Sequence, residues 1–286
     1  MATSRAPSVR RRRLGAELRR LREERDLTGD GVAESLGWSP SKVSRIENAR
    51  IGARVEDVRA MLDLYRVAGA HRDAMLTLAE EATRPGWWSQ YPDLPIDFAT
   101  YIALEDEATA ALQVESMAVP GLLQTRDYAR YVMRSWNFIT TTPPQQIERR
   151  VEVRMRRQQL LTRADPLRLE IVLDESVLQR MVGDRAVMRA QLDHLHTMAQ
   201  LPHVVVRILP LAGPHPILAN SFTLLEFAPV HDVIFPDIVH TESLTMSSLT
   251  DESVTYMYRL AHETLMQRAL DRTDSLQRIR TVRDQW

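Results

Sequence analysis

The amino-acid sequence predicts an α+β chain: five short helices at the N terminus, then a larger region in which a mixed β-sheet packs against helices. Three observations lead there. Apolar residues recur at helical spacing through the first 84 residues, with capping and turn residues between the runs. A breaker, Arg84-Pro85-Gly86, is followed by two of the five tryptophans, Trp87 and Trp88, and the composition changes there. Beyond it, helical stretches are interleaved with apolar runs of strand length.

The first helix is carried by Leu14, Leu18 and Leu21 through an Arg/Glu-rich run to about Arg25, and Asp26-Leu27-Thr28 ends it. Thr28 is the expected N-cap of a second helix with Val32, Ala33 and Leu36 inward, and Gly37 closes that helix. Ser39 reads as the N-cap and Pro40 as the first residue of a third helix running to Asn48, with Val43 and Ile46 buried. A fourth helix is predicted near Val55 to Tyr65 and a fifth from about His71 to Glu81. The expected domains are a basic arm over residues 1–13, a helical domain over 14–84 and a second domain over 85–286. Arg10 to Arg13 read either as a phosphate-contacting arm or as a disordered tail.

In the second region, residues 97–117 and 125–136 read as helical, Pro143-Pro144 is a break, and Gln145 to Thr162 is a basic amphipathic helix. Within that helix Arg149, Arg150, Arg154, Arg156 and Arg157 read first as a solvated face. Strands are expected at Leu167 to Leu173, Val204 to Leu209, Phe222 to Phe227 and Val233 to Thr241. A helix near Ala186 to Ala199 separates the first two, and a helix or helix pair spans Glu252 to Arg283.

Composition narrows the chemistry. The chain is 44% hydrophobic and 26% charged, and no run approaches the roughly 18 apolar residues of a membrane span, so no membrane partner is expected. Residues 1–13 have no apolar stretch of signal-peptide type behind their arginines, which points to the cytoplasm. Without cysteine there are no disulfides, cysteine-based zinc sites or thiol nucleophiles. Among 37 basic residues only Lys42 is a lysine, so Schiff-base catalysis, a Walker-type phosphate lysine or a nuclease lysine would have to use that one position. Charge is unevenly placed: residues 1–84 hold 17 Lys and Arg against 13 Asp and Glu, which suits the first segment to a polyanion.

Lys42 also stands at the third position of its helix, where the helix dipole disfavours a cation by roughly 0.3–1 kcal/mol. Counting from Gly29 as the first of a twenty-residue unit, Ala33 is fifth, Gly37 ninth, Val43 fifteenth and Ile46 eighteenth. A small residue at the fifth position lets two helices cross closely, glycine at the ninth supplies a positive φ, and the branched residues fill the core between the helices.

This spacing, and above all Leu36-Gly37-Trp38-Ser39 through Glu47-Asn48, resembles the Cro/repressor-like (Xre-type) helix-turn-helix family over residues 14–82. The resemblance implies DNA binding through the third helix. Ser41 and Arg45, with Lys42 beside them, would face base edges, and Arg45 would read guanine. Thr28 and Asn48 would donate to phosphates, and Ser39, Pro40 and Ser44 complete the implied DNA-facing set. Gly29 and Pro40 stand where the family often carries glutamine, which limits Pro40 to apolar contact such as a thymine methyl. The resemblance also pairs Glu47 with Arg22.

A second resemblance rests on Met117-Ala118-Val119-Pro120-Gly121-Leu122-Leu123-Gln124-Thr125 with Tyr128-Ala129, Arg156-Arg157-Gln158-Gln159-Leu160-Leu161, Leu173-Asp174-Glu175, Val206-Arg207-Ile208-Leu209-Pro210 and Phe222-Thr223-Leu224-Leu225-Glu226. These segments look like the effector domain of unknown function found behind Xre-type domains in actinobacterial regulators. Together the two resemblances imply a dimeric, repressor-type transcriptional regulator on a near-palindromic double-stranded operator, modulated by a small ligand or a small protein. The alternative they imply is an antitoxin-like protein that holds a small partner and autoregulates its operon.

Trp87, Trp88, Tyr91 and Tyr101, with Phe98, are either packing residues or the wall of a ligand pocket. Asp174, Glu175, Glu226, Asp232, Asp237 and Glu242 lie near strand ends, where a metal or acid–base site is conceivable. A Gly-rich phosphate loop and a Gly-x-Ser-x-Gly elbow are both missing, so no enzyme activity, cofactor or metal is expected.

Overall fold

A computed structural model describes residues 8–135, 141–213, 220–230, 233–242, 247–250 and 252–286. Asp232 and residues 1–7 of the expected arm lie outside these described residues. By internal packing the chain forms two compact units, one reaching to Glu107 and including Phe227–Phe235, the other comprising Ala108–Glu226 and Pro236–Trp286.

The first unit is helical: α1 Val9–Glu23, α2 Gly29–Leu36, α3 Pro40–Glu47, α4 Val55–Leu64, α5 Gly69–Ala82 and α6 Ile96–Glu107. Its core gathers Leu14, Leu18, Val32, Ala33, Val43, Ile46, Val58, Met61, Leu62, Met75 and Leu78, the apolar stripes of the predicted helices. Val233 joins this core from far along the chain.

The disordered-tail alternative for Arg10 to Arg13 requires correction. Ser8 caps α1 by accepting from the Arg11 amide, so Arg10 to Arg13 form the first turns of a helix. Arg13 is 2% exposed, and its guanidinium donates to the carbonyls of Val233 at 3.1 Å and Ala228 at 3.0 Å. The same guanidinium lies 5.8 Å from the centre of the Phe235 ring, and Arg10 is paired with Glu81 and Glu107. The Ser8 cap starts the helix ahead of the run, and Arg10 and Arg13 find tertiary partners, which a count of positive charges does not reveal.

The second unit holds β1 Ala110–Glu115, α7 Arg126–Ser135, α8 Pro144–Arg157, β2 Arg168–Asp174, the short α9 Ser176–Gln179, α10 Arg185–Met198, β3 Val204–Leu209, β4 Phe222–Glu226, β5 Ile238–Glu242, β6 Ser247–Thr250, α11 Glu252–Arg268 and α12 Arg272–Arg283. The strands form one mixed sheet in the order β3-β2-β1-β4-β5-β6. β1, β2 and β3 run parallel, and β4, β5 and β6 continue antiparallel. One sheet face carries Leu112, Val114, Val172, Phe222, Leu224 and Val239 against Leu265 of α11.

Three segments differ from the sequence reading. The helix expected over 97–117 stops at Glu107, and Ala110–Glu115 is the central strand β1. A strand covered on both faces loses the polar alternation that identifies strands, and its two alanines read as helix formers. The strand expected from Val233 begins at Ile238, since Pro236 cannot donate to a ladder, and Val233 makes only an isolated bridge with Val230. The polar strand β6 had no apolar signal. The C-terminal helix is a pair, divided where the Asp271 side chain accepts from the Asp274 amide at 2.8 Å to cap α12.

Candidate nucleic-acid interface

The turn between α2 and α3 is built from local chemistry. Thr28 Oγ1 accepts from the Gly31 amide at 3.0 Å and starts α2. Gly37 ends it at φ 66°, a left-handed conformation that costs a residue with a Cβ roughly 1–2 kcal/mol. The Trp38 amide then donates back to the Ala33 carbonyl at 2.8 Å. Ser39 has the extended backbone of an N-cap and Pro40 occupies the first turn of α3, but the Ser39 hydroxyl sits 3.2 Å from Ser41 Oγ and makes no capping bond.

Two features fix α3 against α1. Gly15 lets the helices approach so closely that a Cβ there would stand 2.5 Å from the Glu47 carbonyl oxygen and 2.8 Å from that of Ile46. Arg22 grips Glu47 with both arms, Nε to Oε1 at 2.7 Å and Nη2 to Oε2 at 3.0 Å, while its Nη1 donates to the Leu27 carbonyl at 2.8 Å. One largely buried guanidinium thereby ties together α1, the entry to α2 and the end of α3. Such a pair is costly to break because the survivor is left as an unpaired charge.

With Val43 and Ile46 buried, the opposite side of α3 faces outward. Ser39, Pro40, Ser41, Ser44, Arg45 and Asn48 are exposed, as is Thr28 at the start of α2, and Lys42 is half-buried. The Arg45 side chain folds back along the helix, its Nε donating to the Ser41 carbonyl at 3.0 Å and its Nη2 to Ser41 Oγ at 3.3 Å. Asn48 Nδ2 donates to the Ser44 carbonyl at 2.8 Å. Lys42 is engaged twice: Nζ is 2.6 Å from Asp57 Oδ1 and lies 3.6 Å from the centre of the Trp38 ring.

Sequence reasoning missed two positions beside α3. Arg50 and Arg54 are exposed on the segment between α3 and α4, and neither has an ion pair among the described residues. Arg11 reaches the same segment, with Nη2 3.2 Å from where a Cβ of Gly52 would be. The signal was a pair of arginines immediately after the third helix, in a stretch that reads as an ordinary linker.

The other candidates are built differently. Trp87 packs edge-on against Trp88 at 6.0 Å and Tyr91 at 6.2 Å between ring centres, and its Nε1 donates to Asp106 at 3.1 Å. Trp88 and Tyr101 are buried, and the Tyr101 hydroxyl donates to Glu105 at 2.9 Å. Among the strand-end acids, Asp174 accepts from the Ser176 amide, Glu175 is paired with Arg278, and Glu226 is paired with Arg168 and Arg259. Asp237 takes the other arm of Arg259 at 2.7 Å. The basic face of α8 is only partly solvated: Arg149 is exposed, Arg157 is buried, and Arg154 Nη1 donates to Gln124 Oε1 at 2.7 Å.

Residues 13–75 match the helix-turn-helix domain family, and the N-terminal part of the chain is a helix-turn-helix DNA-binding domain. Residues 98–281 match the family described as a domain of unknown function (DUF5753), and the chain belongs to that family. No curated protein and no solved structure matches the chain. Among the described residues, no helix is long and apolar enough to cross a membrane.

Proposed function

We propose that this protein is a sequence-specific, dimeric transcriptional regulator of the repressor type, acting in the cytoplasm and modulated through its C-terminal unit by a small ligand or small protein. The observation that carries this reading is the pinned geometry of α3. Its apolar side is locked to α1 through Gly15 and the Arg22–Glu47 pair, and its outer side offers Ser41, Ser44, Arg45 and Asn48.

Within this reading Arg45 reads a base edge once it exchanges its intrahelical bonds for guanine, and Ser41 reads beside it. Thr28 and Asn48, with Arg50 and Arg54, contact phosphates; Ser39, Pro40 and Ser44 line the groove. Lys42 contributes charge that Asp57 partly cancels. The domain organisation is a DNA-binding domain joined to an effector and dimerisation domain. Support for a second copy comes from α11, where Tyr256, Met257 and Leu260 are 69%, 62% and 44% exposed at helical spacing. Trp87, Trp88, Tyr91 and Tyr101 serve as packing in this reading, because Trp87 lies edge-on to Trp88 and Tyr91, and Trp88 and Tyr101 are buried.

Two-fold symmetry then requires half-sites about 34–36 Å apart, roughly one turn of the duplex. Sedimentation of the full chain on an operator duplex is expected to give two chains per duplex. Met257→Asp is expected to give one chain per duplex with weaker binding. A single chain per duplex in the parent protein contradicts the dimer, and absence of any sequence preference contradicts the regulator.

A further inference from the structure

The motif from Met117 to Thr125 has no part in the DNA interface proposed above, yet several side chains hold its backbone. It leaves the C-terminal end of β1. The Val119 amide donates to the Tyr128 hydroxyl at 3.2 Å, and Gln124 Nε2 donates to the Val119 carbonyl at 2.6 Å. Gln158 Nε2 donates to the Gln124 carbonyl at 2.6 Å, and Gln191 holds the Leu123 carbonyl and the Thr125 amide, each at 2.7 Å. The buried amides of Gln124 and Gln191, with half-buried Gln158, thus fix the backbone beyond β1. The carboxyl ends of parallel strands are where open α/β sheets bind ligands, and β1 is where this sheet changes from parallel to antiparallel pairing.

The sheet face away from α11 is polar at this edge. Strand alternation and register place Gln113 across from Thr223 and His240, and Glu115 in the next row with Ser221 and Glu242. Ser221 Oγ accepts from the Ser116 amide at 3.2 Å. Gln113 is 4% exposed; its Nε2 donates to Thr223 Oγ1 at 3.2 Å, while its Oε1 meets no donor among the described residues. A buried acceptor left in this way is destabilising unless something supplies a donor.

The row is rich in acceptors. Among the described residues, Arg154 is the cation that acts on the Glu115 carboxylate, and its Nη1 already donates to Gln124 Oε1. Burial pushes the Glu115 carboxyl up to about 7; the Ser221 hydrogen bond opposes this, Glu242 adds to it and Arg154 opposes it. Among the described residues, no compact cation reaches the Gln113 oxygen.

We propose that the edge formed by Gln113, Glu115, Ser221, Thr223 and Glu242 binds a small organic ammonium, and that this is the effector of the regulator. The effector role rests on the function proposed above; the binding itself does not. Glu115 and Glu242 share the positive charge, the Gln113 oxygen takes an N–H, and the Ser221 and Thr223 hydroxyls serve polar groups on the ligand.

Calorimetric titration of the full chain with ethanolamine and with glucosamine tests this, run at constant ionic strength against the uncharged counterparts ethylene glycol and glucose. At least one amine is expected to bind where its uncharged counterpart does not. Glu115→Gln is expected to weaken that binding about 10- to 100-fold, the range for losing a hydrogen bond to a charged group. Should Glu115→Gln fail to fold by circular dichroism, Ser221→Ala serves, with loss of binding expected again. Binding of neither amine, equal binding of charged and uncharged partners, or binding indifferent to these substitutions overturns the site. DNA affinity is measured on the same samples. Amine binding that leaves DNA affinity unchanged overturns the effector role alone, and failure to bind DNA counts against the regulator while leaving the amine site standing.

Discussion

At the scale of single residues, the function proposed for α3 divides affinity and specificity between different groups. Lys42 is held by Asp57 at 2.6 Å, so its charge is offset before any phosphate arrives. Asp57→Asn frees it, and is expected to tighten binding to non-specific duplex and steepen the salt dependence by up to about one counterion, read from affinity measured across a salt series. An unchanged salt slope means that Lys42 does not face phosphate. Glu115 gives a second expectation at this scale. Its folded pKa of about 7 lies above the roughly 4.3 of an unfolded glutamate, so the stability it contributes is present below pH 4.3 and lost as pH rises through 7. Glu115→Gln removes that loss: in urea melts the variant should gain on the parent protein from pH 4 to pH 8, and a constant difference refutes the burial argument. The sequence showed the capping roles of Thr28, Gly37 and Pro40 because each follows from local backbone chemistry. It did not show Gly15, whose necessity comes from the Glu47 and Ile46 carbonyls of another helix.

At the scale of elements, helices α1 to α5 were legible because each has its own apolar period and its own stop. Strand β1 was not, since a central strand takes its identity from neighbours on both sides; Ala110 and Ala111 carry no signal of that. The Arg10–Arg13 run misled for a related reason. The carbonyls that Arg13 uses are 215 and 220 residues away, on a segment that leaves β4 and returns at β5. That segment also supplies Val233 to the helical core. A fragment of residues 8–84 lacks all three groups and leaves a guanidinium evolved for burial without partners. By circular dichroism and urea melting, the fragment is expected to be partly unfolded at 25 °C while the full chain is folded. A fragment as cooperative and stable as the full chain would show that the segment is dispensable.

At the scale of the whole molecule, two families meet in one chain, a helix-turn-helix domain at residues 13–75 and a domain of unknown function at 98–281. The mixed sheet was legible in outline from its apolar strands. The candidate ligand edge was not, because Glu115, Ser221 and Glu242 are brought into one row only by strand register. The residues proposed to face DNA come from the spacing between Gly29 and Asn48, while Asp57, Arg50 and Arg54, which stand beside them in this reading, belong to elements outside that stretch. The central claim is that α3 reads DNA through Arg45. Selection of bound sequences from a random duplex library, run with the parent protein and with Arg45→Ala, tests it most directly. The parent protein should enrich a near-palindrome, and Arg45→Ala should lose preference at one position per half-site at a cost of about 1–3 kcal/mol. An unchanged profile in Arg45→Ala, or no enrichment by the parent protein, would contradict it.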